Sequence, residues 1–428
     1  MTRRILRAIF SLVLRVFFRR IEVRGGENVP AEGPVMFTPN HPSGLVDPLF
    51  LFCLAPRRTS FLAKAPLFRM PVLGWLVRTL ECLPVYRQSD AADTTKNRET
   101  FDAARKLLAG GGTITIFPEG TSHSDPHLKP LKTGAARIAL EAGPIDIVPS
   151  GLFYTDKGTF RSQALLFFGT PFRVEPGTLA PETVHAVTDR IGAALADVTL
   201  QADRAEALAL VARVERMFFF ADDLAEQLDV RRRLIAGYER LRTRDPERLA
   251  VLERRITQFE HELEQAGIAP DRLSPEGFTA TGVAGFVARS LLLFSLTAPF
   301  AVFGTVLHYP AYRAAGFFAL RLSRGDDDIV ATIKVLGSLV FFPLTWAAAA
   351  TAAGLLWHWP AALATLALAP AGAYAALLFS ERLDRLIAGA RSLGLFLFRR
   401  RGWARLCAER DAIRNEIIAI GEAYTDAA

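Results

Sequence analysis

The chemistry this chain could do centres on His41 and Asp47. They lie in the run Pro39-Asn40-His41-Pro42-Ser43-Gly44-Leu45-Val46-Asp47-Pro48, and His41 is one of seven histidines in 428 residues. A histidine backed by an aspartate is a unit of general-base catalysis: the carboxylate selects the ring tautomer and stabilises the imidazolium once a proton is taken. On a straight helix such partners sit three or four positions apart, so this gap of six does not bring them together. The pair meets only if the chain bends after His41. Pro42 fixes φ and Gly44 admits positive φ, which allows that bend. The plainer alternative is a histidine satisfied in a turn, without chemistry.

Three further patches carry groups of chemical interest: Pro84-Val85-Tyr86-Arg87, Phe117-Pro118-Glu119-Gly120-Thr121 and Val148-Pro149-Ser150-Gly151. Lys64, after the apolar Phe61-Leu62-Ala63, adds a cation. Ser43 and Cys53 are near His41 in sequence, but neither sits in a nucleophile motif. His123, Asp125 and His127 alternate, yet nothing supplies a third or fourth ligand at a known spacing, so no metal is predicted. Walker and dinucleotide glycine patterns are absent, and Gly110-Gly111-Gly112 reads as a turn.

The elements that must position these groups read as an α/β domain over residues 21–199. Val35 to Thr38 is a short buried strand delivering His41 at its carboxyl end, where sites lie in open α/β sheets, and Asp47 to Leu54 is the next helix. Strands follow at Ser60 to Lys64, Cys82 to Tyr86, Thr113 to Phe117 and Ala164 to Phe168. Helices are expected at Leu73 to Leu80, Asn97 to Leu108 and Gly134 to Ala142. Ile145 to Val148 is read as a strand ending in a tight turn at Pro149-Ser150-Gly151. Alternating strands and helices predict a mostly parallel sheet with flanking helices on both faces.

The rest of the chain is of another character. Residues 1–20 predict an amphipathic helix in the bilayer interface, with Leu6, Phe10, Val13, Leu14 and Phe17 on one face; the alternative is a helix that caps the domain. Residues 200–280 form a charged helical linker or insert, apolar at Leu224, Leu228, Leu234, Leu241, Leu249, Leu252, Ile256 and Phe259 and broken near Asp245-Pro246. Residues 281–380 predict a membrane domain of two or three spans. No charged residue occurs from Val335 to Ser380, long enough for two helices at about 20 residues each, joined at Trp357-His358-Trp359-Pro360. The run Ser290 to Val306, divided by Pro299, is left as spanning or re-entrant. Residues 381–428 predict a basic amphipathic helix at the membrane surface. The mean hydropathy of +0.21 agrees with a membrane protein. The net charge of +7 suits anionic lipid or anionic substrates. Arginine clusters without interleaved aromatics argue against nucleic acid, and three cysteines without metal or disulfide spacing point to a reducing compartment.

Taken in order, Asn40-His41 with Asp47, Pro84 to Arg87, Phe117 to Thr121 and Val148 to Gly151 resemble the motifs of the phospholipid/glycerol acyltransferase superfamily, over about residues 20–200. The superfamily's usual spacing leaves four residues between His and Asp; here there are five. Asn40-His41-Pro42-Ser43-Gly44-Leu45-Val46-Asp47-Pro48, with the run from Pro118 to Leu140, resembles the branch of yeast-type glycerol-3-phosphate/glycerone-phosphate acyltransferases. The resemblance implies His41 and Asp47 as catalytic residues and Arg87 as the acceptor's phosphate ligand. Glu119, Gly120 and Thr121 fall to acceptor binding, with Asn40, Lys64 and Pro149 at the substrate site. Glu119 would orient Arg87 or hydrogen-bond the acceptor hydroxyl. The implied reaction moves a fatty acyl group from acyl-CoA or acyl-ACP to glycerol-3-phosphate, glycerone phosphate or 1-acylglycerol-3-phosphate, with no cofactor beyond that co-substrate. The implied partners are donor, acceptor and lipid bilayer, with acyl carrier protein as the alternative carrier. The implied location is the inner membrane, multi-pass, with the catalytic domain on the cytoplasmic side. A lysophospholipid-binding or transport protein without catalysis is the competing reading.

Overall fold

In the computed structural model of the chain, residues 1–86, 95, 97–219, 223–268, 270, 273, 280–322 and 327–423 are described. They form two compact units, one of residues 1–203 with 323–335, the other of 204–322 with 336–428.

The first unit is built on an eight-stranded sheet. In chain order its elements are α1 (Thr2–Phe17), β1 (Arg20–Arg24), β2 (Val35–Pro39), α2 (Val46–Leu54), β3 (Ser60–Lys64), α3 (Pro71–Thr79), β4 (Leu83–Val85), α4 (Asn97–Ala109), β5 (Thr113–Thr115), α5 (Gly134–Ala142), β6 (Ile145–Tyr154), β7 (Gln163–Phe168), β8 (Phe172–Val174) and α6 (Pro181–Ala196). The strand order is β1-β7-β6-β2-β5-β3-β4, with β8 beside β6. Pairs within β6-β2-β5-β3-β4 are parallel, as is β1 with β7; β6 is antiparallel to β7 and β8. The predicted mostly parallel sheet with flanking helices is therefore present. β2 is buried along its whole length. Its Met36 shares a core with Leu108 of α4, Ile138 of α5 and Ile147 of β6. Gly110 to Gly112 close α4 as read: Gly111, at φ +74°, donates to Leu108 O (2.8 Å) and Gly112 to Leu107 O (3.0 Å), the paired bonds of a Schellman ending.

Two expectations in this unit are corrected. Pro149-Ser150-Gly151 is not a strand-ending turn but the middle of β6, which continues to Tyr154. Ile145–Ile147 pairs with β8 and Ser150–Tyr154 with β7, so Pro149 falls where β6 passes from one antiparallel partner to the other and its missing N–H leaves no antiparallel pair broken. Gly151 is needed because the Val198 carbonyl lies against it. In α1, the face assigned to the bilayer is turned inward: Phe10, Leu14 and Phe17 are buried, and Phe10 meets Phe52 of α2 edge-on at 6.3 Å. Arg3 donates to Leu80 O and Thr59 O, and Arg7 to Cys53 O, which fixes the helix on the domain. Capping, the alternative reading, is what this face does. A second stripe, Ile5, Ile9, Leu12 and Val16, is the one left exposed.

The second unit is helical: α7 (Ala205–Phe218), α8 (Leu224–Arg244), α9 (Pro246–Ala266), α10 (Ala280–Leu322), α11 (Asp327–Leu356, from Leu336 onward), α12 (Trp359–Phe398) and α13 (Arg400–Ala423). The α8–α9 break falls at Asp245, whose side chain caps α9 by accepting from Arg248 N (3.0 Å), with Pro246 in the first turn. Residues 200–280 are more than a linker, and the last helix does not lie free: Phe218, Leu252, Ile256 and Phe259 share one core with Trp403, Leu406 and Ile413 of α13. Arg255 of α9 ties this core by ion pairs to Glu409 (2.7 Å) and Glu416 (2.8 Å) of α13. A basic surface helix was expected there; its apolar face is consumed by α7–α9 instead.

Two stretches, Thr332–Leu356 and Trp359–Asp384, are long and apolar enough to cross a membrane, and only 6% and 11% of their most apolar windows are buried. Little of their apolar surface is thus used inside the protein. The break between them falls at the predicted tryptophan turn. Ser290 to Val306 is part of the 43-residue α10, whose Gly304 packs directly on Gly372 of α12.

Candidate active site

The carboxyl ends of β2 and β5 bring the first groups together. β2 ends at Pro39 and delivers Asn40 and His41; β5, paired with it through Phe37 and Thr115, leads into Phe117 to Thr121. The His41 ring stacks on Phe117, with centroids 4.1 Å apart and planes at 25°. The chain then bends through Pro42 to Gly44 and enters α2, whose first turn carries Asp47. The bend does what the sequence required. His41 Nδ1 donates to Asp47 Oδ2 at 2.8 Å, which leaves Nε2 as the basic nitrogen for a substrate proton.

Asp47 is fully buried, and three donors hold it. Oδ2 also accepts the Ser43 N–H (2.7 Å), and Oδ1 accepts the Tyr154 hydroxyl (2.6 Å). Burial pushes its pKa up from the ordinary carboxylate value, and the bonds from His41, Tyr154 and Ser43 oppose that shift. The Tyr154 hydroxyl is pushed well up, by burial first and by the Asp47 charge second, so it stays a donor. Tyr154 has no place in the sequence motifs. Its signal was a tyrosine inside the apolar run Leu152-Phe153-Tyr154, because a buried tyrosine hydroxyl needs a partner.

Glu119 lies behind this pair with its side chain fully buried. Its Oε1 accepts the His41 backbone N–H (3.0 Å); its Oε2 accepts His123 Nε2–H and the Lys129 N–H (2.9 Å). His123 N in turn donates to His41 O (3.1 Å). Glu119 therefore ties the histidine loop to the loop after β5, and neither oxygen is open to a phosphate or hydroxyl. Asn40 is spent likewise: its amide donates to Leu152 O (3.1 Å) and accepts from Leu152 N (2.7 Å), clamping the loop to β6. Pro149 is inside β6 opposite Thr38. Gly120 makes the turn at φ +73°, and its N–H donates to Phe117 O (3.0 Å); Thr121 is exposed. Lys64 is exposed at the end of β3, in register with Val85 of β4. Arg87, two residues beyond Val85, lies outside the described residues.

The same loop has further supports that sequence reading missed. Lys157 donates to Pro42 O (3.1 Å) and to Ser124 Oγ. Thr332 Oγ1, in the part of α11 that belongs to this unit, accepts Leu45 N–H (3.0 Å), and Lys334 donates to Gly158 O (2.7 Å). With the N–H groups of His41, Ser43, Leu45 and Gly120 all engaged, Gly44 N–H is one of the loop donors without a protein acceptor among the described residues. No thiol competes as nucleophile: burial pushes Cys53 up, and its Sγ faces Arg7 O of α1. The described residues contain no group of three His, Cys, Asp or Glu fit for a metal.

Comparison with known proteins follows this geometry. Residues 20–152 match the Acyltransferase family model, and residues 222–425 match the model of the glycerol-3-phosphate acyltransferase 2 C-terminal domain. An uncharacterised acyltransferase of Schizosaccharomyces pombe is 25% identical over 450 residues, covering 79% of this chain and 66% of that one. Glycerol-3-phosphate O-acyltransferase 1 of Saccharomyces cerevisiae is 27% identical over 467 residues, covering 81% of this chain and 61% of that one. A chloroplastic 1-acyl-sn-glycerol-3-phosphate acyltransferase of Brassica napus is 29% identical over 141 residues, covering 33% of this chain and 39% of that one. The chain thus spans under two thirds of the length of each. The chain is thus similar to glycerophosphate acyltransferases over its first unit, and its likeness to the yeast glycerol-3-phosphate acyltransferases reaches past that unit into the helical one.

Proposed function

We propose that the protein transfers a fatty acyl group from an acyl thioester, acyl-CoA or acyl-ACP, to the hydroxyl of a glycerophosphate in glycerolipid synthesis. The observation that carries this reading is the His41–Asp47 pair, buried at the Asp end and open at the His end. Nε2 of His41 takes the acceptor's hydroxyl proton as its oxygen attacks the thioester carbon. Asp47 stabilises the imidazolium, and the proton passes to the departing thiolate. An acyl-enzyme is unnecessary because the thioester is already activated. General-base assistance of this kind contributes about 10²–10⁴ in rate. Gly44 N–H is the donor we assign to the developing oxyanion. Lys64 and Arg87 supply charge for the acceptor's phosphate. The yeast relatives favour glycerol-3-phosphate, with glycerone phosphate in the same class and 1-acylglycerol-3-phosphate, the acceptor in the plant relative's name, next.

The membrane part of the proposal is a multi-pass protein of the inner membrane with its catalytic domain on the cytoplasmic side. The two exposed apolar helices support it. They are also what favours the rival, a non-catalytic lysophospholipid binder or transporter, which gives no role to the His41–Asp47 pair.

The test is acyl transfer by the detergent-solubilised protein from labelled palmitoyl-CoA, then acyl-ACP, to each acceptor offered separately. One acceptor should be labelled by the wild type, and His41→Ala should abolish the product without unfolding the protein. Arg87→Ala should raise the acceptor KM. Near-normal activity in His41→Ala would remove the mechanism. No product with either donor would leave the transport reading ahead, to be tested by lipid flipping in vesicles.

A further inference from the structure

Asp47 presents two oxygens to four possible donor directions, and the loop fills only one side. Oδ2 receives His41 Nδ1–H and Ser43 N–H, both from the turn that any His–Asp loop of this shape provides. Oδ1 depends on a residue from a different element, Tyr154, the last residue of β6, which donates from 2.6 Å. Tyr154 is also placed firmly. Its ring stacks on Phe18 (5.6 Å, 27°) and meets Phe50 of α2 edge-on (5.6 Å, 80°). The ring is thus locked by packing while its hydroxyl reaches the carboxylate.

We propose that Tyr154 is a positioning residue of the catalytic pair, whose hydroxyl keeps Asp47 ionised and aimed at His41 so that the imidazole can accept a proton. Without that donor, Oδ1 is a buried carboxylate oxygen with no partner. A buried carboxylate in that state relieves itself by taking up a proton. In the His41–Asp47 pair the proton is then shared toward Asp47, and the form with neutral imidazole and charged carboxylate, the one that acts as base, is reached only at higher pH. The charge no longer drawn toward Tyr154 also falls more fully on His41, which raises the imidazole's affinity for a proton. Both effects have the same sign: the pair loses its proton at higher pH. Other titratable groups nearby act elsewhere. Glu119, with His123 on it, bonds the His41 backbone; Lys157 bonds Pro42 O; Arg7 meets α2 at its far end, at Cys53 O.

The test is Tyr154→Phe in the full chain, since phenylalanine keeps both ring contacts. The pH profile of kcat/KM for acyl transfer should keep its shape, with its acid limb displaced upward by about one unit. This corresponds to roughly a tenfold loss on the acid side, recovered on raising the pH, with the acceptor KM little changed; a hydrogen bond to a charged group supports an effect of this size. A structural role alone would lower activity equally at all pH values, and that result would overturn the proposal. The activity readout rests on the acyl-transfer reading, so a second one is independent of it. The His41 imidazole resonance, assigned by its loss in His41→Ala, should titrate at higher pH in Tyr154→Phe than in the wild type. An unchanged titration overturns the proposal even if acyl transfer is confirmed. A shifted titration upholds it even if the wild type acylates none of the acceptors.

Discussion

Glu119 carries the clearest difference between a residue's sequence motif and its place in the structure. The motif implies acceptor binding; the geometry has both oxygens taken by His41 N–H, His123 and Lys129 N–H. Glu119→Gln separates the two roles. Glutamine keeps one acceptor oxygen and turns an NH2 toward a backbone donor that needs one. A buried donor left so costs about 1–3 kcal/mol. The expected result is a lower thermal midpoint and a kcat reduced at least about tenfold, which corresponds to some 1.4 kcal/mol, with little change in acceptor KM. A raised KM at unchanged kcat would return Glu119 to the acceptor. At this scale the sequence made His41 and Asp47 legible, because the bend they need is written in Pro42 and Gly44. It did not reveal Tyr154 or Lys157, since each meets the loop from more than a hundred residues away, through contacts that no local spacing encodes.

Among the elements, β6 shows why turn chemistry misleads inside a sheet. Proline, serine and glycine in succession are the residues of a turn. Here Pro149 occupies the handover between β8 and β7, and Gly151 makes room for a neighbouring carbonyl. A Cβ at 151 would sit 2.0 Å from Val198 O, and at 169 it would sit 2.5 Å from Val198 Cγ1. The segment after α6 thus lies close over β6, which carries Tyr154, and over the end of β7. Gly151→Ala should therefore be destabilising by about 1–3 kcal/mol, the usual cost of overpacking, read as a lower denaturant midpoint. A wild-type midpoint would mean that the Val198 backbone yields freely. The strands β2 to β5 and the helices α4 and α5 were legible, the strands as short apolar runs bounded by turn residues and the helices as periodic runs ended by glycine. The edge strands β1 and β8 were not: β1 alternates charge with Ile21 and Val23, and β8 spans three residues. In α1 the periodicity fixes the apolar face but not its partner, since such a face has the same pattern whether it meets lipid or α2.

At the scale of the whole chain, the helical unit restricts how often the protein can cross a bilayer. Composition alone leaves two or three spans open. The core that joins α9 to α13 does not: Ile256 and Phe259 share it with Trp403 and Ile413, and Arg255 pairs with Glu409 and Glu416. On the proposed membrane reading both helices lie on one side of the bilayer, and the chain between them crosses an even number of times. The stretches Thr332–Leu356 and Trp359–Asp384 are long and apolar enough for two crossings. A complete crossing by α10 would make three and would pull α13 away from its core, so two crossings are the expected count. His308 of α10 fits this arrangement as a packed group. Its Nδ1–H donates to Gly304 O (2.7 Å) and its Nε2 accepts from Trp346 Nε1–H (2.7 Å), so its polar atoms are satisfied within the helices. Single cysteines placed at Gln258→Cys, Asn415→Cys and His358→Cys test the count in sealed vesicles with a membrane-impermeant maleimide. Cys53 and Cys407 are buried, and burial pushes the Cys82 thiol up to about 12, so the native thiols react slowly. Labelling at 258 and 415 should occur from the same side, and labelling at 358 from the other. Opposite sides for 258 and 415 would mean an odd number of crossings and would dissolve the α9–α13 core in the membrane-bound protein.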